Sequence, residues 1–412
     1  MTDPAASRRR FLRYLAASPL LAGAPAAAQT AAPSRLPDPM IWAPRGLEAV
    51  IDDPSKALNV FDFEPAMRRA VPPAHFGYMA TGVDDEATLR ANRSAFAEFQ
   101  LRPRRMVDVG RVDMKVELFG ATYGSPVALA PTGSNRAFHD EGEIAVAKAA
   151  RRGDHLQMLS TVATSSVEDV NAARGRPVWF QLYPTDDWKV GSAIAKRAER
   201  AGCGVIVLTV DVLARQNWET YQRLWRTDPR NCGECHGVDL RAFVRRKPMF
   251  DGIDVGGLRS TGALTLTWDS VKRLRDAVSA KIVLKGILTG EDARLAVEHG
   301  VDGIIVSNHG GRAEDAGRST IETLPEVVVA VGGRVPVLVD SGFRRGADIV
   351  KALALGARAV CVGRPYLWGL GAFGQPGVEA VLSILRRETL ATMQQMGAPS
   401  VRDLVPAMVT RG

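Results

Sequence analysis

Lys285, His309 and Asp340 each stand at the end of a short apolar run, in "KIVLKG", "GIIVSNHG" and "VPVLVDSG". An ionisable group at the end of a buried strand is unfavourable unless it has partners or a task. An imidazole titrating near neutrality can take and return a proton. A carboxylate can orient that imidazole, the division of labour found in base-plus-orienter pairs. Thr132, Ser160, Gln181, Tyr183, Thr209, Asp211, Ser307, Arg312 and Arg344 also end or closely follow such runs. A lone histidine is more often structural than catalytic, so the set carries more weight than any one member.

The elements that must position these residues repeat along the chain. Apolar runs at 126–131, 156–160, 178–183, 205–211, 281–286, 303–310, 335–342 and 358–365 alternate with amphipathic helical stretches. Continuous apolar runs of this kind are parallel strands buried on both faces. Eight of them predict an α/β fold, a (β/α)8 TIM barrel in one domain over residues 63–412 behind an N-terminal helical extension. A doubly wound open sheet is the alternative, but no Gly-x-Gly-x-x-Gly opens the first unit. In a barrel the polar residues at strand C-termini share one face, where active sites lie. The spacing breaks once: roughly seventy residues separate the fourth and fifth runs, more than one crossover helix needs. The excess, residues 215–265, is a candidate lid or docking element.

Residues 1–28 read as a leader. "SRRRFLR" at 7–13, with Arg8 and Arg9 as the pair, precedes a short apolar run and an Ala-rich cleavage site before Gln29. This is a twin-arginine signal, removed on export, and it predicts a periplasmic protein that acquires a cofactor before it leaves the cytoplasm. Residues 29–62 are a spacer and N-terminal extension. Removing the four arginines and one aspartate of the leader lowers the net charge from +8 to +5. With no Lys/Arg block or basic-aromatic interleaving, nucleic acid is not an expected partner. Cys203 and Cys361 sit in apolar surroundings and read as core residues. Cys232, Cys235 and His236, in "RNCGECHGVD", have the spacing of a covalent haem c site. A haem, a metal site and a short disulfide or thiol pair are the alternatives there; in an oxidising compartment the disulfide is the simplest.

"SNHGGRAEDAGRSTIETLPEVV" resembles the active-site segment of the FMN-dependent 2-hydroxy-acid dehydrogenase and oxidase family. "APTG", "LSTVATSSVEDV", "FQLY", "LTVD", "VLKGILTGEDARLAVEHG", "LVDSGFRRGADIVKALALGA" and "VGRP" are similar to its other blocks in order and spacing. The resemblance implies FMN as cofactor and oxidation of an L-2-hydroxy acid to a 2-oxo acid. His309 would then be the base, taking a proton while two electrons go to flavin N5. Asp211 would orient it, Arg312 would pair with the substrate carboxylate, and Tyr78 and Tyr183 would hydrogen-bond the substrate. Lys285 would sit beside the flavin N1–C2=O edge. Ser160, Gln181 and Thr209 would bond the pyrimidine edge, and the backbone of Pro131, Thr132 and Gly133 would lie along the ring. Ser307 joins the cofactor layer, and Asp340, Gly342, Arg344, Gly363 and Arg364 would grip the ribityl chain and phosphate. It further implies an electron acceptor, whether a cytochrome, a quinone or O2, and a homo-tetramer. A flavoprotein acting on an amine, or one that only transfers electrons, is the alternative function.

Two positions depart from the family pattern. After Thr-Val-Asp the family carries a second carboxylate-binding arginine; counted without a gap, Trp218 takes that place, while Arg215 lies three residues earlier. Losing one charge-assisted contact is worth about 1.5–3 kcal/mol, so a larger or less acidic substrate than glycolate is expected. Gly133 stands where several oxidases have alanine, which favours a dehydrogenase passing electrons to a carrier.

Overall fold

A computed structural model describes residues 50–214, 216–230 and 239–412. The leader, most of the spacer, Arg215 and the Cys232–Cys235–His236 motif lie outside the described residues. Eight parallel strands form one sheet: β1 (Val127–Leu129), β2 (Met158–Ser160), β3 (Trp179–Leu182), β4 (Val205–Thr209), β5 (Lys281–Ile287), β6 (Gly303–Val306), β7 (Val337–Val339) and β8 (Ala359–Val362). Each pairs with its sequence neighbour from β2 to β8, and β8 returns to β1. A parallel bridge between Leu129 and Gln157 joins β1 to the start of β2 and closes the ring. All eight expected strands are present, each inside its expected run except β5, which extends one residue further to Ile287.

Period-two alternation explains why these runs are apolar throughout. Ala128, Met158, Trp179, Val207, Val283, Ile305, Leu338 and Cys361 point inward and form the barrel interior. Their neighbours Leu129, Leu159, Phe180, Ile206, Ile282, Ile304, Val339 and Val360 point outward under the helices. The outer ring is α1 (Gly142–Arg152), α2 (Val167–Arg174), α3 (Trp188–Arg200), α4 (Trp268–Ala277), α5 (Gly290–Glu298), α6 (Thr320–Val331), α7 (Gly346–Ala354) and α8 (Arg364–Met396). α8 is broken at Gly374 and packs on the N-terminal helix Phe63–Ala70. A hairpin, Val116–Leu118 with Ala121–Tyr123, fills the opposite barrel mouth by adding Val116, Leu118 and Tyr123 to the interior cluster. Among the described residues no helix is long and apolar enough to cross a membrane.

The insertion between β4 and α4 is fastened at both ends. Its helix Glu219–Arg226 lies against the helix Pro73–Ala80, where Gly77 admits Leu224. The later part buries Val244, Met249, Phe250 and Leu258, and Lys247 Nζ donates to Ser134 Oγ at 2.6 Å. Asp186 Oδ1 accepts from the amides of Arg259 and Ser260 at 3.1 and 3.0 Å.

Candidate active site

Two residues beyond the interior layer, the same inward phase brings Ser160, Gln181, Thr209, Lys285, Ser307, Asp340 and Gly363 to the C-terminal face. Strand periodicity therefore converts scattered positions into one polar layer. Lys285 Nζ is its hub: it donates to Ser307 Oγ at 2.8 Å and lies 3.4 Å from Asp340 Oδ2 and 3.7 Å from Asp211 Oδ2. Burial works against the ammonium, but the Asp211 and Asp340 carboxylates outweigh it and hold the Lys285 pKa above its usual value. Asp211 resists burial in the same way: Lys285 and His309 keep its carboxyl below the usual range.

His309 sits on the turn after β6 with φ +58, followed by Gly310 and Gly311 at φ +71 and +74. Gly311 has a second constraint, because a Cβ there would meet Leu89 Cα at 2.6 Å. Reciprocal 2.8 Å amide bonds between Asn308 and Asn92 pin the turn to the helix Ala87–Ser94. His309 Nδ1 lies 2.9 Å from Asp211 Oδ1 and 3.4 Å from Lys285 Nζ. The Asp211 carboxylate can only accept, and it is the nearer partner, so the network places the proton on Nδ1, donated to Asp211, and leaves Nε2 as an acceptor. Nε2 is 3.4 Å from the Tyr183 hydroxyl. Burial and the Lys285 charge lower the His309 pKa, against the opposing pull of Asp211. A neutral imidazole with a bare Nε2 is the form a base requires.

Arg312, three residues on, is held between two rings, its guanidinium 5.0 Å from the Tyr78 centroid and 4.3 Å from that of Trp218. It donates to the Tyr78 carbonyl, and Trp218 Nε1 donates to the Arg312 carbonyl at 3.3 Å. Trp218 thus lines the cleft with its ring against the Arg312 guanidinium. These residues border a cleft that opens to solvent at its mouth. Pro131, Thr132, Gly133, Tyr183, Lys285, Asp340, Gly342, Arg344, Gly363 and Arg364 also line it. Ser160, Gln181 and Thr209 instead form a buried row, linked at 3.0 and 2.8 Å, that does not border the cleft; Ser307 does not border it either. Val162, Val212, Phe343 and Leu367 line the cleft without having been singled out from sequence. Their apolar types carry no signal of a site.

A closed parallel barrel with an oriented imidazole and a buried lysine at the C-terminal mouth of its strands is the arrangement of a barrel enzyme. Residues 67–411 match the family described as FMN-dependent dehydrogenase. L-lactate oxidase of Lysinibacillus sphaericus is 40% identical over 83% of this chain and 90% of its own. Glycolate oxidase 1 of Oryza sativa subsp. indica is 40% identical over 85% and 95%. A crystal structure of mandelate oxidase superposes with a TM-score of 0.76 at 38% identity, over 86% of this chain and 98% of that one. The chain belongs to the FMN-dependent 2-hydroxy-acid oxidase and dehydrogenase family, and its cofactor is FMN.

The residues present fit that cofactor. Arg344 is buried, gives one bond to its neighbour's carbonyl (Phe343 O, 2.9 Å), and keeps a buried Nε without a partner among the described residues. Burial depresses its pKa to about 10. A buried guanidinium with an unfilled donor suits an anion, and the N-terminus of α8, at Gly363 and Arg364, borders the same cleft. The resemblance implies a phosphate grip for both arginines, but the two side chains differ. Arg364 donates to the Met79, Gly310 and Thr81 carbonyls at 3.0, 2.8 and 3.0 Å, so its guanidinium is committed to joining the His309 turn to the N-terminal helices.

Proposed function

We propose that the chain oxidises an L-2-hydroxy acid with a side chain bulkier than that of glycolate or lactate, yielding the 2-oxo acid. The carrying observation is Trp218 stacked on Arg312 where a second carboxylate-binding arginine is expected. The substrate carboxylate rests on Arg312 alone among the described residues, and the Tyr78 and Trp218 rings give an apolar wall for a side chain. His309 Nε2 accepts a proton from the substrate, Asp211 holds the resulting imidazolium, and Tyr183 orients the reacting oxygen. The substrate loses two electrons and two protons, one proton to His309 and the second together with the electron pair. When bound, FMN supplies the two-electron acceptor. Similarity to mandelate oxidase, solved with (S)-mandelic acid and with benzoyl-formic acid, supports an aryl side chain.

The electron acceptor is read separately. Gly133 does not argue for a carrier over O2, because a methyl there would meet Val162 Cγ2 at 2.6 Å and packing alone accounts for the glycine. Loss of flavin absorbance on mixing with a panel of hydroxy acids tests the substrate reading. Mandelate or phenyllactate is expected to reduce the enzyme faster than glycolate or lactate; equal or faster reduction by the small acids overturns it. Reoxidation under air, compared with an added cytochrome or quinone under nitrogen, identifies the acceptor.

A further inference from the structure

Ser341, the residue after Asp340, has φ +76 and is buried. Left-handed backbone is unfavourable for a residue with a Cβ and persists where the surroundings hold it, often at functional sites. Here the surroundings are the catalytic turn. Ser341 Oγ donates to Asp340 Oδ1 at 2.7 Å and accepts from the Gly310 amide at 3.0 Å. The other carboxylate oxygen of Asp340 faces Lys285 at 3.4 Å. Lys285 in turn lies 3.7 Å from Asp211 Oδ2, and Asp211 Oδ1 holds His309. The contacts close a ring through His309, Asp211, Lys285, Asp340, Ser341 and Gly310.

We propose that Asp340 and Ser341 are positioning residues for the base: Asp340 shares the Lys285 charge so that Asp211 stays with His309, and the Ser341 hydroxyl ties that carboxylate to the turn carrying His309. The inference rests on His309 acting as the base. The groups facing His309 are Asp211 from the end of β4, Lys285 from β5, Tyr183 from the end of β3 and Arg312 from its own loop. Lys285 also faces Asp340 from the end of β7 and Cys361 from β8. Removing the Asp340 charge leaves the lysine less compensated and draws it towards Asp211. Both effects disfavour the imidazolium, so the pH at which His309 becomes a free base falls.

The test compares FMN-saturated wild type with Ser341→Gly, Ser341→Ala and Asp340→Asn, recording flavin content, melting temperature, kcat, KM and the pH profile of kcat/KM. Ser341→Gly relieves the backbone, so it is expected to melt no lower than wild type and to bind FMN. Its kcat is expected to fall about tenfold, the worth of one hydrogen bond at the transition state, with a smaller change in KM. Ser341→Ala keeps the strained backbone and loses the hydroxyl, so it is expected to show the same loss of kcat and to melt below Ser341→Gly. Asp340→Asn is expected to move the rising limb of the profile to lower pH. A Ser341→Gly enzyme with wild-type kcat, or an Asp340→Asn limb displaced to higher pH, overturns the inference while leaving the proposed reaction standing. A wild-type flavin that no hydroxy acid bleaches overturns both.

Discussion

His309 works between opposed fields, and its pKa shows which side prevails. Burial and Lys285 push it down, while Asp211 pulls it up. Because the shift is downward, the base is unprotonated at pH values where an ordinary imidazole, with a pKa of about 6.5, is already charged. The sign follows directly: kcat/KM rises with pH as the imidazolium loses its proton, and the midpoint is expected below about 6.5. A midpoint above that value would mean that Asp211 outweighs both burial and Lys285. His309→Gln removes the base while keeping a polar side chain on the turn. Reduction by substrate is expected to slow by about 10²–10⁴-fold, with the flavin spectrum retained. Sequence placed His309, Asp211 and Lys285 at strand ends, because ionisable residues there are conspicuous. It did not mark Ser341, since a serine after aspartate is ordinary loop chemistry until its φ is known. Nor could it separate Arg344 from Arg364, whose difference lies in which carbonyls the fold brings near each guanidinium.

At the scale of elements, the barrel was legible because each strand is apolar on both faces, so a run of identical character announces itself without a register. The hairpin at 116–123 was not, since each of its strands has an exposed polar residue, Glu117 or Thr122, at its centre and neither reads as an apolar run. The insertion after β4 was visible as excess length, but its attachment was not. The helix Glu219–Arg226 is anchored through Thr220 Oγ1 to Glu86 and through Gly77 to Leu224, contacts between segments far apart in the chain. That anchoring fixes Trp218, the residue just before the helix, against Arg312 and Tyr78. Substituting Trp218→Arg therefore changes a side chain on a held backbone. It is expected to lower KM for glycolate or lactate by roughly tenfold or more, the worth of one added charge-assisted bond, and to raise KM for an aryl substrate. Unchanged KM ratios between small and aryl acids would show that the ring does not set substrate size.

For the whole molecule, the order of folding and cofactor capture matters. The cleft draws Pro131 from beyond β1, Lys285 from β5, His309 from beyond β6, Arg344 from beyond β7 and Gly363 from the end of β8. β8 must reach β1, and β1 must meet the start of β2, before these groups share one space. A cavity assembled from both ends of the chain can hold FMN only after the barrel has closed. Export of an unfolded chain would leave cofactor capture to a compartment beyond the cytoplasm, whereas export through a twin-arginine signal allows loading first. We propose that Arg8 and Arg9 form such a signal in this chain. With Arg8→Lys and Arg9→Lys together, the chain is expected to remain in the cytoplasm, folded and yellow with flavin, with residues 1–28 still attached. The unaltered chain is expected in the periplasm, shortened at its N-terminus and carrying FMN at full occupancy. Fractionation with an absorbance spectrum and intact mass of each pool reads both points. Periplasmic protein lacking flavin, or export that persists in the double variant, would place cofactor loading after translocation or the export route elsewhere.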